Sequence, residues 1–91
     1  MKEFVYRITD AHGMHARPAG KLATYAKQFE SEVRVACMDK EVDAKRLLAL
    51  MSLGATCGSE LRFSIHGSDE EDAVRALERF CRECWEKGGL A

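Results

Sequence analysis

Long hydrophobic runs are missing from this 91-residue chain. A membrane helix needs ~18 or more consecutive apolar residues, so no insertion into a bilayer is expected. A basic excess is missing too. Fourteen Lys plus Arg stand against 15 Asp plus Glu, for a net charge of −1, which argues against a nucleic-acid binder. Proline occurs once, at Pro18, and there are no repeats, low-complexity runs or linkers. One domain over residues 1–91 is therefore expected. The opening MKEFVYRITD alternates and carries charge. It does not read as a signal peptide, and a cytosolic location is the expectation. The four cysteines, Cys37, Cys57, Cys81 and Cys84, are an even number, but without a secretion signal they read as reduced thiols.

What is present is an ordinary globular composition, 46% hydrophobic and 32% charged. That is apolar enough to build a core, which excludes a disordered chain. The charge is divided. Residues 1–46 hold nine basic and seven acidic residues, whereas residues 47–91 hold five and eight. The first half is the one suited to an acidic partner.

Lys2 to Ile8 alternates, with Phe4, Tyr6 and Ile8 on one face, and reads as a strand. Ala16 to Phe29 carries Ala19, Leu22, Ala23, Ala26 and Phe29 at helical spacing, with Pro18 in the first turn, where proline is tolerated. Glu32 to Cys37 alternates again, and Met38 to Lys40 turns into a short strand through Val42. The apolar run Arg46 to Leu53 is expected as a short helix closed by Gly54. Glu60 to His66 is a strand with Leu61, Phe63 and Ile65 inward. Ser68 opens the last helix with Glu71 as a capping box, and Ala73, Val74, Leu77, Phe80, Cys81 and Cys84 form its buried stripe. The order βαββαβα predicts an α+β fold, a four-stranded antiparallel sheet with three helices on one face.

The segment His12-Gly13-Met14-His15-Ala16-Arg17-Pro18 carries the chemistry. Pro18 places His15 at the helix start, where backbone N–H groups lack intrahelical partners and the dipole attracts anions. Arg17 adds a fork suited to phosphate, and Gly13 permits a tight turn and close approach to a ligand. The same field disfavours imidazolium and so favours the neutral, nucleophilic ring. A nitrogen that attacks phosphorus becomes a phosphohistidine, whose charge then meets the amides of Ala16 and Arg17.

GMHARPAG, followed by a helix through Phe29, closely resembles the active-site signature of the HPr family, the histidine-containing phosphocarriers of the bacterial phosphotransferase system. KRLLALMSLGATCGSEL is similar to that family's second-helix region, and GSDEEDAVRALERF to the start of its last helix. The resemblance implies an open-faced β-sandwich. It implies phosphorylation of His15 on Nδ1, assisted by Arg17, in a carrier of phosphoryl groups rather than a turnover enzyme. It implies phosphorylated enzyme I, charged from phosphoenolpyruvate, as donor, and the A domain of a sugar-specific enzyme II as acceptor. No metal or cofactor is implied, and a monomer is the default. Leu47, Leu48 and Met51 fall on the face that meets both partners in the family, beside Lys45 and Arg46. On spacing alone the three share one side of a short helix, and Leu50 and Leu53 supply core contacts instead. Lys21 and Lys27 join Lys45 and Arg46 as a basic rim.

Two residues depart from the pattern. Arg46 stands where many relatives have a serine phosphorylated as a regulatory switch, so no regulation by that route is expected. His12 replaces a small polar residue. His12 and His15 have no evident third partner for a metal, and a supporting contact to the phosphate is the better expectation. Cys81 and Cys84 lie within a helix and lack the helix-start position of a redox pair. Trp85 and the closing KGGLA run past the resemblance and are expected to fray. Two other functions remain open. One is a regulatory paralogue serving a nitrogen-related or other signalling branch, and the other is a binding module that no longer carries phosphate.

Overall fold

Period-two alternation of apolar residues builds four strands, and the order in which they pair decides where the helices sit. The computed structural model describes residues 1–9 and 13–83. In chain order the elements are β1 (Lys2–Arg7), α1 (Ala16–Ala26), β2 (Glu32–Cys37), β3 (Lys40–Asp43), α2 (Leu47–Met51), β4 (Glu60–His66) and α3 (Glu70–Cys81). The sheet order is β1-β4-β2-β3, antiparallel throughout. Registers such as Phe4 opposite Phe63 and Val35 opposite Phe63 bring the inward side chains of neighbouring strands into rows. The Phe4 and Phe63 rings stack 4.5 Å apart. Phe63, Leu61, Ile65, Val33 and Val35 are fully buried under Leu22, Leu50 and Leu77 of the three helices. The opposite face carries Glu3, Arg7, Arg34, Glu41 and Arg62, with Arg7 paired to Glu60 at 2.8 Å. This is the open-faced arrangement expected from the alternation.

The helix ends differ from expectation in instructive ways. Helix α1 stops at Ala26, and the chain turns through Phe29, whose N–H reaches Ala26 O at 3.2 Å. Lys45 then donates its ammonium to Phe29 O at 2.8 Å, placing a cation where the helix dipole is negative. Ser68 and Glu71 form no capping box. Asp69 is the N-cap of α3, and its side chain caps nothing on that helix. Its Oδ2 accepts the Glu30 N–H at 2.9 Å, and its Oδ1 accepts both the Ser31 N–H at 2.9 Å and the Ser31 hydroxyl. The carboxylate spends its lone pairs on the turn before β2, where Ser31 is buried and its amide and hydroxyl need partners.

This bracing predicts a pH response. The Ser31 hydroxyl, then the Glu30 and Ser31 amides, hold the Asp69 carboxyl below its ordinary value. Glu70, which takes the Gly67 N–H at 3.1 Å, is lowered as well. A carboxyl depressed by folding stabilises the folded chain above its unfolded-state value, and that stability is lost as pH falls through the folded-state value. Thermal stability should therefore decline below pH ~4. Asp69→Asn should be less stable at neutral pH and show a flatter acid limb. An unchanged limb in the variant would place the acid sensitivity elsewhere.

Candidate phosphoacceptor site

His15 is the N-cap of α1, with extended backbone (φ −100°, ψ −177°) and no side-chain cap on the helix. The first closed helical bond runs from the Ala19 N–H to His15 O at 3.0 Å. Pro18 has no N–H, so the helix start presents the amides of Ala16 and Arg17, for which the helix itself has no acceptor. The cap and first turn hold no Asp, Glu, Ser or Thr, so the helix supplies no side-chain anion or cap of its own at that positive end. His15 is half-buried, and its Nε2 is buried.

Gly13 sets this geometry. It is buried with φ +65°, and a Cβ there would lie 2.5 Å from Ala55 O and 2.7 Å from Thr56 Cα. Gly13 thus makes its close approach to a second loop of the chain. The Met14 N–H donates to Ala55 O at 3.0 Å, and Met14 is buried beneath the turn. The His15 N–H reaches Gly13 O at 3.1 Å. The second loop is itself tied to the end of β1, through Ile8 N–H to Ser59 O (2.9 Å), Gly58 N–H to Ile8 O (2.8 Å) and Arg7 Nη1 to Gly58 O (2.8 Å). Sequence reasoning passed over Ala55 and Thr56. Their only local signal is the flanking pair Gly54 and Gly58, both with positive φ.

Arg17 is exposed and faces an open groove shared with Gly20, Lys21, Tyr25 and Phe80. The Tyr25 and Phe80 rings stack at 5.4 Å and join α1 to α3. Helix α2 turns one side to the core and the other to solvent. Leu50 is fully buried and Leu53 nearly so, whereas Leu47, Leu48 and Met51 are 40%, 79% and 40% exposed. Leu47 and Leu48 line a second groove with Lys27, Arg34, Lys45 and Arg46. Lys21 belongs to the Arg17 groove instead. The two grooves share no lining residue, and contact between α1 and α2 carries the geometry from one to the other. Arg46 is the exposed N-cap of α2. Lys45 is half-buried and anchored at Phe29, so it braces the fold as well as charging the groove. His66 Nδ1 lies 3.8 Å from Glu70 Oε1. Among the described residues no group of three or more His, Cys, Asp or Glu is placed to hold a metal, and no helix is long and apolar enough to cross a membrane. Cys37 and Cys57 are unbridged thiols. His12, Cys84 and Trp85 lie outside the described residues.

Known proteins resemble this chain in both fold and sequence. Residues 2–83 match the family model described as the PTS HPr component phosphorylation site. The phosphocarrier protein HPr of Treponema pallidum is 35% identical over 81 residues, covering 89% of this chain and 92% of that protein. A multiphosphoryl transfer protein of Vibrio cholerae is 41% identical over 75 residues, covering 79% of this chain but only 19% of that longer protein. The crystal structure of HPr from Thermoanaerobacter tengcongensis superposes with a TM-score of 0.86 at 37% identity, covering 91% of this chain and 93% of that one. Family match, full-length relative and fold agree, and the chain belongs to the HPr phosphocarrier family of the phosphotransferase system.

Proposed function

We propose that this chain carries a phosphoryl group on His15, taken from phosphorylated enzyme I and passed to the A domain of a sugar-specific enzyme II. The observation that carries the reading is the half-buried His15 at the start of a helix whose first turn holds no acidic side chain. With Nε2 buried, Nδ1 is the better-placed nucleophile. Its lone pair attacks phosphorus, the P–N bond to the donor histidine breaks, and that donor nitrogen recovers its lone pair. The reverse sequence delivers the group to the acceptor. The Ala16 and Arg17 amides and the Arg17 guanidinium then stabilise the added charge, so the carrier contributes positioning and electrostatics rather than bond chemistry of its own. No metal or cofactor enters the step. Leu47, Leu48 and Met51, with Arg46 and Lys45, form the docking patch for both partners. The carrier acts as a cytosolic monomer of one domain, with His12 lending support to the phosphate.

Incubation with enzyme I and phosphoenolpyruvate should add one acid-labile phosphoryl group by intact mass spectrometry. His15→Ala should remove it, and Arg17→Gln should slow its appearance about tenfold or more. If a known carrier is labelled in the same tube and this chain is not, the carrier reading fails. A panel of acceptor domains then separates sugar uptake from a regulatory branch.

A further inference from the structure

The second groove concentrates positive charge in a chain whose net charge is −1. Three separate segments supply it: Lys27 at the end of α1, Arg34 on β2, and Lys45 with Arg46 ahead of α2. Asp43 is the one carboxylate on its wall, and its Oδ1 is occupied by the Lys45 N–H at 2.9 Å. Arg34 stands 3.6 Å from Glu41 at the sheet edge, a loose contact that leaves most of its donors available. Among the described residues, neither Lys27 nor Arg46 has an ion pair. The Lys45 ammonium is fixed in place by Phe29 O at 2.8 Å. Like charges gathered in a concavity repel one another unless an anion joins them, and a guanidinium fork is best matched by phosphate.

We propose that this groove binds a compact polyanion, a small molecule bearing two phosphate groups. The cations come from three segments around a hollow, which suits a compact ligand better than an extended strand of nucleic acid. Leu47 and Leu48 wall the same groove, so occupancy neutralises the cations beside the docking patch. That consequence rests on the phosphocarrier reading, whereas binding itself does not.

Inorganic pyrophosphate is the probe. Nitrogen-15 spectra of the unphosphorylated protein are followed as pyrophosphate is added, with sodium chloride holding ionic strength constant. The expected result is saturable movement of the amides of Arg34 and residues 45–49, with Gly20 and Thr24 in the other groove unmoved. Arg34→Gln and Arg46→Gln should each weaken binding about tenfold, the worth of one charge-assisted hydrogen-bonding partner. Shifts that do not saturate, that sulfate reproduces at equal concentration, or that persist unweakened in both variants would overturn the proposal. Enzyme I is absent from this experiment, so its failure and that of the carrier reading are read separately.

Discussion

Gly13→Ala should cost this protein on the order of 3 kcal/mol and slow phosphoryl acceptance at His15 as well. Two penalties combine. An L-residue at φ +65° occupies the left-handed region, worth roughly 1–2 kcal/mol. The new methyl would also sit 2.5 Å from Ala55 O and 2.7 Å from Thr56 Cα, both backbone atoms. One loop must then move, and the Met14 to Ala55 hydrogen bond of 3.0 Å that positions the residue before His15 moves with it. The melting temperature should fall by roughly 10 °C or more. Gly20→Ala supplies the contrast. Gly20 lies inside α1 with nothing within 4 Å of a built Cβ, so the same substitution should stabilise by about 0.5–1 kcal/mol. Urea denaturation of the two variants measures the difference. Equal effects would mean that the Gly13 turn tolerates a side chain and does not set the site.

Neighbouring leucines of α2 should separate stability from docking. Leu50 is fully buried in the core, so Leu50→Ala should cost about 2–5 kcal/mol through lost burial and the cavity left behind. Leu48 is 79% exposed, so Leu48→Ala should leave stability within about 0.5 kcal/mol. It should nonetheless weaken the complex with enzyme I about tenfold, as truncation of an apolar anchor does. Denaturation and calorimetric titration on the same samples test both halves. A Leu48→Ala protein that binds enzyme I normally would remove this patch from the docking surface.

Local patterns carried much of this in the sequence. Strands β2 and β4 occupy the residues their alternation marked, because inward Val33, Val35, Leu61, Phe63 and Ile65 leave one register that buries them all. Helical spacing put Leu47, Leu48 and Met51 on one side of α2, but which side faces outward came from the family resemblance and not from the spacing. His15 and Arg17 were located by Pro18, which fixes where α1 begins. Features that depend on distant residues were hidden. Nothing near Asp69 announces that its carboxylate would brace Glu30 and Ser31 from 39 and 38 positions away, and the local Ser68 to Glu71 spacing pointed to a cap that does not form. The anchoring of Lys45 at Phe29 O and the packing of Gly13 against Ala55 and Thr56 are likewise tertiary, with no periodic signature. The Arg34 side of the basic groove escaped notice because an alternating strand shows which face a residue takes, not what stands beside it.

The place of β4 between β1 and β2 has a consequence for how the protein is made. Both long ladders of the sheet close on residues 60–66, which leave the ribosome after β1, α1, β2 and α2 have already emerged. Until then β1 has no strand to pair with, and the outer β2–β3 hairpin stands alone with its apolar face open. The loop that holds Gly13 is also missing Ala55 and Thr56 for most of synthesis. Assembly of the sheet is therefore late and nearly all at once, as expected where the governing contacts are distant in sequence. A nascent chain halted before β4 should be readily digested by protease and unable to take up phosphate, although His15 was among the first residues made.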